Sequence, residues 1–275
     1  METEKPQTAS KKPTVLLMIG MAGTGKTTLV HRLQHYAAEE GKTAYFINLD
    51  PAVNNVPYNV NIDIRDTVNY KEVMQQYQLG PNGSILSSLN LFATKIHQVI
   101  ELLEKKENLD WIVVDTPGQI EVFTWSASGQ LITETFKASF PTVAVFVADT
   151  SRCLAPRTFV STMLYASAVM LKQQVSLIVA FNKTDVASAD SLISWMKDES
   201  AVEDSLNDPS DAQGGGVGGQ SWSYANTLTQ TFALYLQEFY EDLPFACVSA
   251  ATGDGVKSLE EAVVKATSDA AEPSE

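Results

Sequence analysis

Six short runs of apolar residues recur along the chain, separated by stretches in which polar and apolar residues alternate with helical spacing. The runs are TVLLMIG (14–20), TAYFINLD (43–50), DWIVVD (110–115), TVAVFVAD (142–149), VSLIVAFN (175–182) and FACVSA (245–250). Because consecutive positions are apolar, each run is typical of a strand that is covered by helices on both sides. Strands that alternate with helices predict one α/β domain, with a mostly parallel sheet, right-handed crossovers and helices on both faces.

The spacing also divides the chain into a domain, an insertion, a loop and two tails. We predict one domain over residues 13–265, with flexible tails at 1–12 and 266–275. Residues 51–109 are too long for a simple crossover and are predicted to form a helical insertion. Residues 199–221 contain AQGGGVGGQ among acids and have few residues to bury, which indicates a flexible loop.

Two features of the insertion give local predictions. One helix is indicated by apolar residues three and four apart, which are Leu89, Phe92, Ile96, Val99, Ile100 and Leu103. The string GPNG (80–83) indicates a tight turn, in which Pro81 sets its own φ and Gly83 supplies a positive φ.

Composition and charge narrow the classes of partner. The net charge is -14, but residues 198–211 hold six acids and no base, and residues 259–275 hold five acids and one lysine. These two segments therefore contribute -10 of the net charge of -14. The remainder has no basic stripe for nucleic acid. No apolar run reaches the length of a membrane span and the polar N-terminus has no signal-peptide core, so we expect a cytosolic location. Cys153 and Cys247 are expected to be free thiols.

The string GMAGTGKTT (20–28) follows the first strand and opens a helix, which is the context of a phosphate-binding loop. Its backbone N–H groups and the helix N-terminus attract phosphate, Lys26 reaches the β- and γ-phosphates, and the Thr27 hydroxyl binds Mg²⁺. The predicted nucleotide-binding residues here are Gly23, Thr24, Gly25, Lys26, Thr27 and Thr28.

The string DTPGQ (115–119) follows the third run. Asp115 is placed to hold Mg²⁺, and the Gly118 N–H to contact a γ-phosphate oxygen. The Gln119 amide is placed to orient the attacking water.

Two later strings concern the base. In NKTD (182–185), the Asp185 carboxylate accepts two hydrogen bonds and so matches the N1–H and N2–H₂ donors of guanine, whereas adenine has a lone pair at N1. Asn182 would brace the loop and Lys183 would lie along the base. In SAATG (249–253), Ser249 belongs to the predicted pocket and the Ala250 N–H is placed to reach guanine O6.

Taken in this order, the four motifs resemble those of the GTP-binding protein superfamily. NLDPA (48–52) is further similar to the branch that includes signal-recognition and MinD-like NTPases, many of which are face-to-face dimers. That resemblance implies that Asp50 holds a Mg²⁺-bound water or positions the nucleophile; an N-cap or turn role is the alternative.

The strings DPAVNNVPY, DIRD and LGPNG, in this spacing, resemble the GPN-loop GTPases, which are named for the tripeptide found here as Gly80, Pro81 and Asn82. The resemblance implies a constitutive dimer in which each subunit presents this tripeptide, and Asn82 above all, to its partner's phosphate site. GMAGTGKTT is most similar to the first eukaryotic paralogue, which implies a role in RNA polymerase II assembly and nuclear import.

The implied partners are a second copy or a sister paralogue, and polymerase subunits or assembly chaperones; shuttling to the nucleus is implied too. An arginine finger accelerates phosphoryl transfer by roughly 10³–10⁵. DTPGQ has no arginine, and an amide from a partner supplies dipoles instead of charge, so we expect slow GTP hydrolysis, typical of a switch. Two alternatives are a P-loop kinase or ATPase, and a nucleotide-binding scaffold module without significant hydrolysis.

Three further features have structural interpretations. His31 and His35 are one helical turn apart, but no third ligand is nearby, so a polar helix face is favoured over zinc. Arg65 is favoured as a salt-bridge partner of Asp63 or Asp66 over an arginine finger. Apolar spacing at Tyr235, Leu236, Phe239 and Tyr240 indicates the buried stripe of a helix.

Overall fold

Seven parallel strands form the centre of the protein in a computed structural model, which describes residues 12–207, 229, 231–232, 239 and 243–269. The sheet order is β3-β2-β4-β1-β5-β6-β7. The strands are β1 (Thr14–Ile19), β2 (Ala44–Asn48), β3 (Ile62–Asp63), β4 (Trp111–Asp115), β5 (Thr142–Asp149), β6 (Ser176–Asn182) and β7 (Phe245–Cys247). The predicted α/β class is confirmed, and six strands coincide with the six apolar runs.

Twelve helices are described in full. They are α1 (Lys26–Glu39), α2 (Ile64–Thr67), α3 (Tyr70–Gln76), α4 (Pro81–Ala93), α5 (Ile96–Glu104), α6 (Ile120–Thr124), α7 (Ala127–Ser139), α8 (Thr150–Cys153), α9 (Pro156–Gln173), α10 (Asp190–Lys197), α11 (Glu199–Asn207) and α12 (Val256–Asp269). None of the described helices is both long and apolar enough to cross a bilayer.

The sheet separates two apolar layers, as expected for strands that are apolar at every position. Val15, Leu17 and Ile19 of β1 face the larger layer, to which α4, α5, α7 and α9 contribute. Leu16 and Met18 face the smaller layer, which is formed with α1 and α12. Burial on both faces therefore explains why the runs show no polar alternation.

The insertion differs from its sequence prediction in two places. It adds the two-residue strand β3 at the sheet edge, next to β2. Its apolar period spans two helices instead of one, because α4 ends at Ala93 and α5 begins at Ile96. The Lys95 N–H donates to the Phe92 carbonyl at 2.8 Å, a tight turn that leaves the spacing of apolar residues almost unchanged.

The GPNG string is the start of a helix, and the prediction of a turn with positive φ at Gly83 is wrong. Gly80 is the N-cap of α4 and Pro81 is its first residue, a position at which the missing N–H of proline has no helical acceptor to lose. The positive φ falls earlier, at Gln78, with φ of 51°.

Two boundaries of the predicted domain organisation are also corrected. The predicted flexible loop begins with α11, in which Val202 and Leu206 are buried and pack against the larger apolar layer, so residues 199–207 are helical; residues 208–221 lie outside the described residues. The predicted C-terminal tail begins too early, because α12 continues to Asp269 and buries Ala266. In the predicted stripe, Phe239 packs against the core, and the other three residues lie outside the described part.

Candidate functional site

Four of the predicted motifs lie at one edge of the sheet. GMAGTGKTT follows β1, DTPGQ begins at the end of β4, NKTD begins at the end of β6 and SAATG follows β7. Because all these strands are parallel, their carboxyl ends meet at the same edge, where open α/β sheets bind ligands.

The phosphate-loop lysine is buried at the start of α1. Lys26 is 5% exposed, and its Nζ donates to the carbonyls of Gly20 at 2.6 Å and Met21 at 3.0 Å. Burial lowers the pKa of Lys26, and the carboxylates of Asp115 and Asp50 act in the opposite direction. The lysine is therefore held inside the loop that it is predicted to serve.

Glycine is required at position 25 by both conformation and space. Gly25 is the N-cap of α1, with a φ of 91°, in the left-handed region that favours glycine. A Cβ atom at this position would lie 2.5 Å from Nδ2 of Asn182. The loop therefore closes directly against the NKTD motif.

Asn182 and Lys183 connect that motif to the phosphate loop. The Asn182 amide donates to the Thr24 carbonyl at 2.9 Å, and the Lys183 ammonium donates to the Gly23 carbonyl at 2.7 Å. The same ammonium forms a 2.6 Å ion pair with Asp149 at the end of β5. Burial raises the pKa of Asp149, but hydrogen bonds from Lys183 and Ser151 outweigh it, and the net shift is downward. Asn182 and Lys183 therefore bond the NKTD motif directly to the phosphate loop, and their roles at the base stay predictions.

The carboxylate of Asp185, which is predicted to read the base, is joined to the SAATG loop. The Ser249 hydroxyl donates to Oδ1 of Asp185 at 2.6 Å. Asp185 is exposed to solvent. The Ala250 N–H donates to Oδ1 of Asn182 at 3.0 Å. This amide already has a protein acceptor, so its predicted bond to guanine O6 stays a prediction.

Asp115, Asp50 and Thr27 provide oxygen ligands of the kind that Mg²⁺ prefers. Asp115 is 2% exposed, and its Oδ1 has no hydrogen-bond partner within the described part of the chain. Burial raises the pKa of Asp115 to about 6, although the hydroxyls of Thr27 and Tyr58 and the Lys26 ammonium lower it. A buried carboxylate oxygen without a partner fits a cation or a cation-bound water, so the residues present fit Mg²⁺.

Asp50 also contacts the DTPGQ segment. Its Oδ2 accepts from the Gly118 N–H at 3.4 Å, and its Oδ1 accepts from the Ala52 N–H at 2.9 Å. Gln119 follows as the half-buried N-cap of α6. Asp50 therefore combines a turn role with a place beside the Gly118 N–H that was predicted to contact the γ-phosphate.

The tripeptide at 80–82 is exposed, and its hydrogen bonds are local. The Gly80 carbonyl accepts from the Ser84 N–H at 3.0 Å, and the Pro81 carbonyl accepts from the Tyr70 hydroxyl at 3.4 Å. The tripeptide begins helix α4. Helix α4 packs on α6, which follows Gln119. The roles of Gly80, Pro81 and Asn82 in catalysis stay predictions.

The sequence prediction missed Tyr58, whose hydroxyl donates to Oδ2 of Asp115 at 3.2 Å. Tyr58 ends the recognised string DPAVNNVPY, but neither residue type nor spacing in that string indicates a partner 57 residues away. The structural interpretation of Arg65 is confirmed, since its guanidinium forms an ion pair with Asp63 at 2.7 Å.

The two imidazoles on α1 form a local pair, with Nε2 of His31 and Nε2 of His35 3.0 Å apart. In the described ranges, no group of three or more His, Cys, Asp or Glu side chains is arranged to hold a metal ion. The two cysteines are free thiols, as expected.

Fold and site together define a P-loop nucleotide-binding protein with a parallel α/β sheet. The family profile described as "Conserved hypothetical ATP binding protein" matches residues 18–269. GPN-loop GTPase 1 of Dictyostelium discoideum is 49% identical over 261 residues, which are 94% of this chain and 63% of that protein. GPN-loop GTPase 1 of Schizosaccharomyces pombe is 45% identical over 254 residues, which are 92% of this chain and 68% of that protein.

The crystal structure of a GTPase in apo form from Pyrococcus abyssi has a TM-score of 0.75 to this fold at 25% identity, with 92% of this chain and 97% of that chain covered. The chain belongs to the GPN-loop GTPase family. It spans less than two thirds of the Dictyostelium discoideum protein, at 63%, and 68% of the Schizosaccharomyces pombe protein.

Proposed function

We propose that this chain binds GTP with Mg²⁺ and hydrolyses it slowly, as one subunit of a dimer. The observation that carries the proposal is the direct connection between the predicted base-reading and phosphate-binding segments. Asn182 and Lys183 donate to the Thr24 and Gly23 carbonyls at 2.9 Å and 2.7 Å. Such bonds fix the distance between a base pocket and a phosphate loop, as selective nucleotide binding requires.

The base is guanine in this proposal. The description of the matching family profile mentions ATP, but both curated relatives above are named GTPases. The carboxylate of Asp185 supports guanine, because it can accept from N1–H and N2–H₂ together, whereas adenine would set a lone pair against it. A site built around such polar pairs rejects the wrong partner by ~10⁴ or more.

Mg²⁺ would be held by Thr27, Asp50 and Asp115, and when bound it neutralises charge that develops on the phosphates. The chain itself binds phosphate through Lys26 and the loop N–H groups. Gln119 orients water, and the Gly118 N–H lies beside Asp50 at 3.4 Å.

In the dimer, each subunit supplies Asn82 to the phosphate site of its partner. Asn82 lies exposed at the N-terminus of α4, a position from which it can be presented to a partner's site. The stretch DTPGQIEVF contains no arginine, and Arg152, which lies near Gly23 of the phosphate loop, forms an ion pair with Asp149, so slow turnover that suits a switch is expected. By the resemblance to GPN-loop GTPase 1, the working dimer is a homodimer or a heterodimer with a sister paralogue. By the same resemblance, it acts in RNA polymerase II assembly in the cytoplasm and in nuclear import.

The nucleotide assignment is tested by comparing GTP, ATP and XTP binding in wild type, Asp185→Asn and the control Asp190→Asn. Asp190 is an exposed carboxylate in the first turn of α10, outside the pocket. We expect Asp185→Asn to lose GTP and gain xanthine nucleotide, because xanthine replaces the donor at position 2 by an acceptor. Tight ATP binding by wild type, or an unchanged preference in Asp185→Asn, would refute guanine reading.

Hydrolysis and the dimer are tested by single-turnover phosphate release. Lys26→Ala and Asn82→Ala should each be impaired, and their mixture should regain activity, because one site of a mixed dimer has both an intact phosphate loop and an intact visiting Asn82. No release over hours would favour a scaffold module. No recovery despite proven subunit exchange would refute the role of Asn82 in trans.

A further inference from the structure

Arg32, on α1, binds the backbone of the SAATG loop 218 residues further along the chain. Its Nε donates to the Ala250 carbonyl at 3.2 Å, and its Nη2 donates to the Ala251 carbonyl. One guanidinium therefore holds two consecutive carbonyls. The planar fork of arginine does this with a defined orientation, which a lysine ammonium cannot reproduce.

The loop is shaped to admit this side chain. Gly253 has a φ of 95°, and a Cβ atom there would lie 3.3 Å from both Cδ and Nη1 of Arg32. The Gly253 N–H donates to the Ser249 carbonyl at 2.8 Å, which closes the loop into a tight turn. Any other residue at 253 would strain this turn and crowd the guanidinium.

The same loop is bonded to the NKTD motif. Ser249 donates to Asp185 at 2.6 Å, and the Ala250 N–H donates to Asn182 at 3.0 Å. The SAATG loop is thus bonded to NKTD through the Ser249 hydroxyl and the Ala250 N–H. It is bonded to α1 through the carbonyls of Ala250 and Ala251.

Helix α1 also begins at Lys26, the phosphate-loop lysine. Arg32 follows six residues later, which is about 9 Å along a helix. One helix therefore carries both Lys26 of the phosphate loop and Arg32, which binds the SAATG loop.

We propose that Arg32 is a positioning residue for the guanine pocket, which fixes the SAATG loop relative to the phosphate loop and thereby sets the preference for guanine. The inference rests on the proposed nucleotide assignment. Without the guanidinium, the two carbonyls lose their donors and the loop shifts together with Ser249 and Asp185. The bonds of Lys26 to Gly20 and Met21 do not involve Arg32, so the phosphate site is retained.

The test measures dissociation constants of GDP and ADP for wild type, Arg32→Gln, Arg32→Lys and the control Gln34→Ala. Gln34 lies on the same helix and exchanges two hydrogen bonds with the Asn59 backbone, at 3.0 and 2.9 Å, away from the base loop. We expect Arg32→Gln to weaken GDP binding roughly tenfold while ADP binding changes less than about twofold. Arg32→Lys, which keeps the charge and loses the fork, should lie close to Arg32→Gln. Gln34→Ala should keep the wild-type ratio.

Amide hydrogen exchange provides a second measurement that does not depend on nucleotide. Exchange should rise in residues 249–253 of Arg32→Lys and stay unchanged in residues 20–28. Equal losses for GDP and ADP, an unchanged GDP constant, or an unchanged loop exchange rate would each overturn the inference. Wild type that binds GDP and ADP alike would instead overturn the nucleotide assignment, and this inference with it.

Discussion

Asn182 offers a direct test of how the two halves of the site are joined, because its side chain is buried and bonded at both ends. It is 1% exposed, donates to the Thr24 carbonyl at 2.9 Å and accepts from the Ala250 N–H at 3.0 Å. Asn182→Ala removes both bonds and leaves a carbonyl and an N–H without partners. Each buried unpaired group costs about 1–3 kcal/mol, so we expect a loss of about 2–6 kcal/mol in the free energy of unfolding.

The measurement is chemical denaturation without nucleotide, with Asn69→Ala as the matched control. Asn69 is an exposed N-cap of α3 that accepts from the Lys71 N–H at 3.1 Å, and loss of such a cap costs about 1 kcal/mol. Asn182→Asp provides a second comparison, since it keeps the size and sets a carboxylate against the Thr24 carbonyl. We expect both Asn182 variants to lose more free energy of unfolding than Asn69→Ala does. If Asn182→Ala cost no more than the exposed cap, the two halves would not be joined as described.

Three other predictions concern stability and reactivity. Gly129→Ala should destabilise the protein strongly, because its Cβ would lie 1.9 Å from a backbone oxygen, whereas Gly83→Ala meets only ordinary contacts at 3.5 Å and should stabilise α4 by about 0.5–1 kcal/mol. Burial raises the pKa of the Cys153 thiol to about 11, so iodoacetamide should modify it slowly at pH 8 until denaturant is added, as followed by mass spectrometry. Burial raises the pKa of Asp149, but hydrogen bonds, chiefly from Lys183, have the larger combined effect and lower this pKa below its usual value. The stability it contributes is complete above the unfolded pKa of about 3.9 and is lost as the pH falls through the folded pKa, so Asp149→Asn should flatten the acid side of the stability curve.

Each of these has a contrary result. Equal effects of alanine at Gly129 and Gly83 would contradict the packing of α7 against α6. Rapid alkylation of native Cys153 would mean that its thiol is accessible. An unchanged acid limb in Asp149→Asn would mean that its ion pair with Lys183 contributes nothing to folding.

The sequence predicts those parts of the fold that have a repeated local signal. Six strands coincide with unbroken apolar runs, so their existence and their succession along the chain follow from the pattern alone, whereas their order within the sheet does not. The strand β3 has only two residues, Ile62 and Asp63, too few to show any period. The break between α4 and α5 was missed because a tight turn at Lys95 keeps the helical spacing of apolar residues.

Turn chemistry was misleading at GPNG because proline and glycine serve helix N-termini as well as turns. Within the site, residues of the recognised motifs could be predicted, because their chemistry depends on residue type and order. The contacts of Arg32 could not, nor could those of Tyr58, although Tyr58 lies in the recognised string DPAVNNVPY. Each acts on a backbone or carboxylate far along the chain, and only the folded sheet brings these groups together.

The contact of Arg32 with the loop after β7 has a consequence for the protein while it is being made. The ribosome produces the phosphate loop near residue 20 and the SAATG loop near residue 250, so roughly 230 residues separate them. At about 5–20 residues per second, synthesis of that interval takes on the order of 10–50 seconds. A nascent chain therefore carries its phosphate-loop lysine throughout that interval, before the SAATG loop that Arg32 binds has been synthesised.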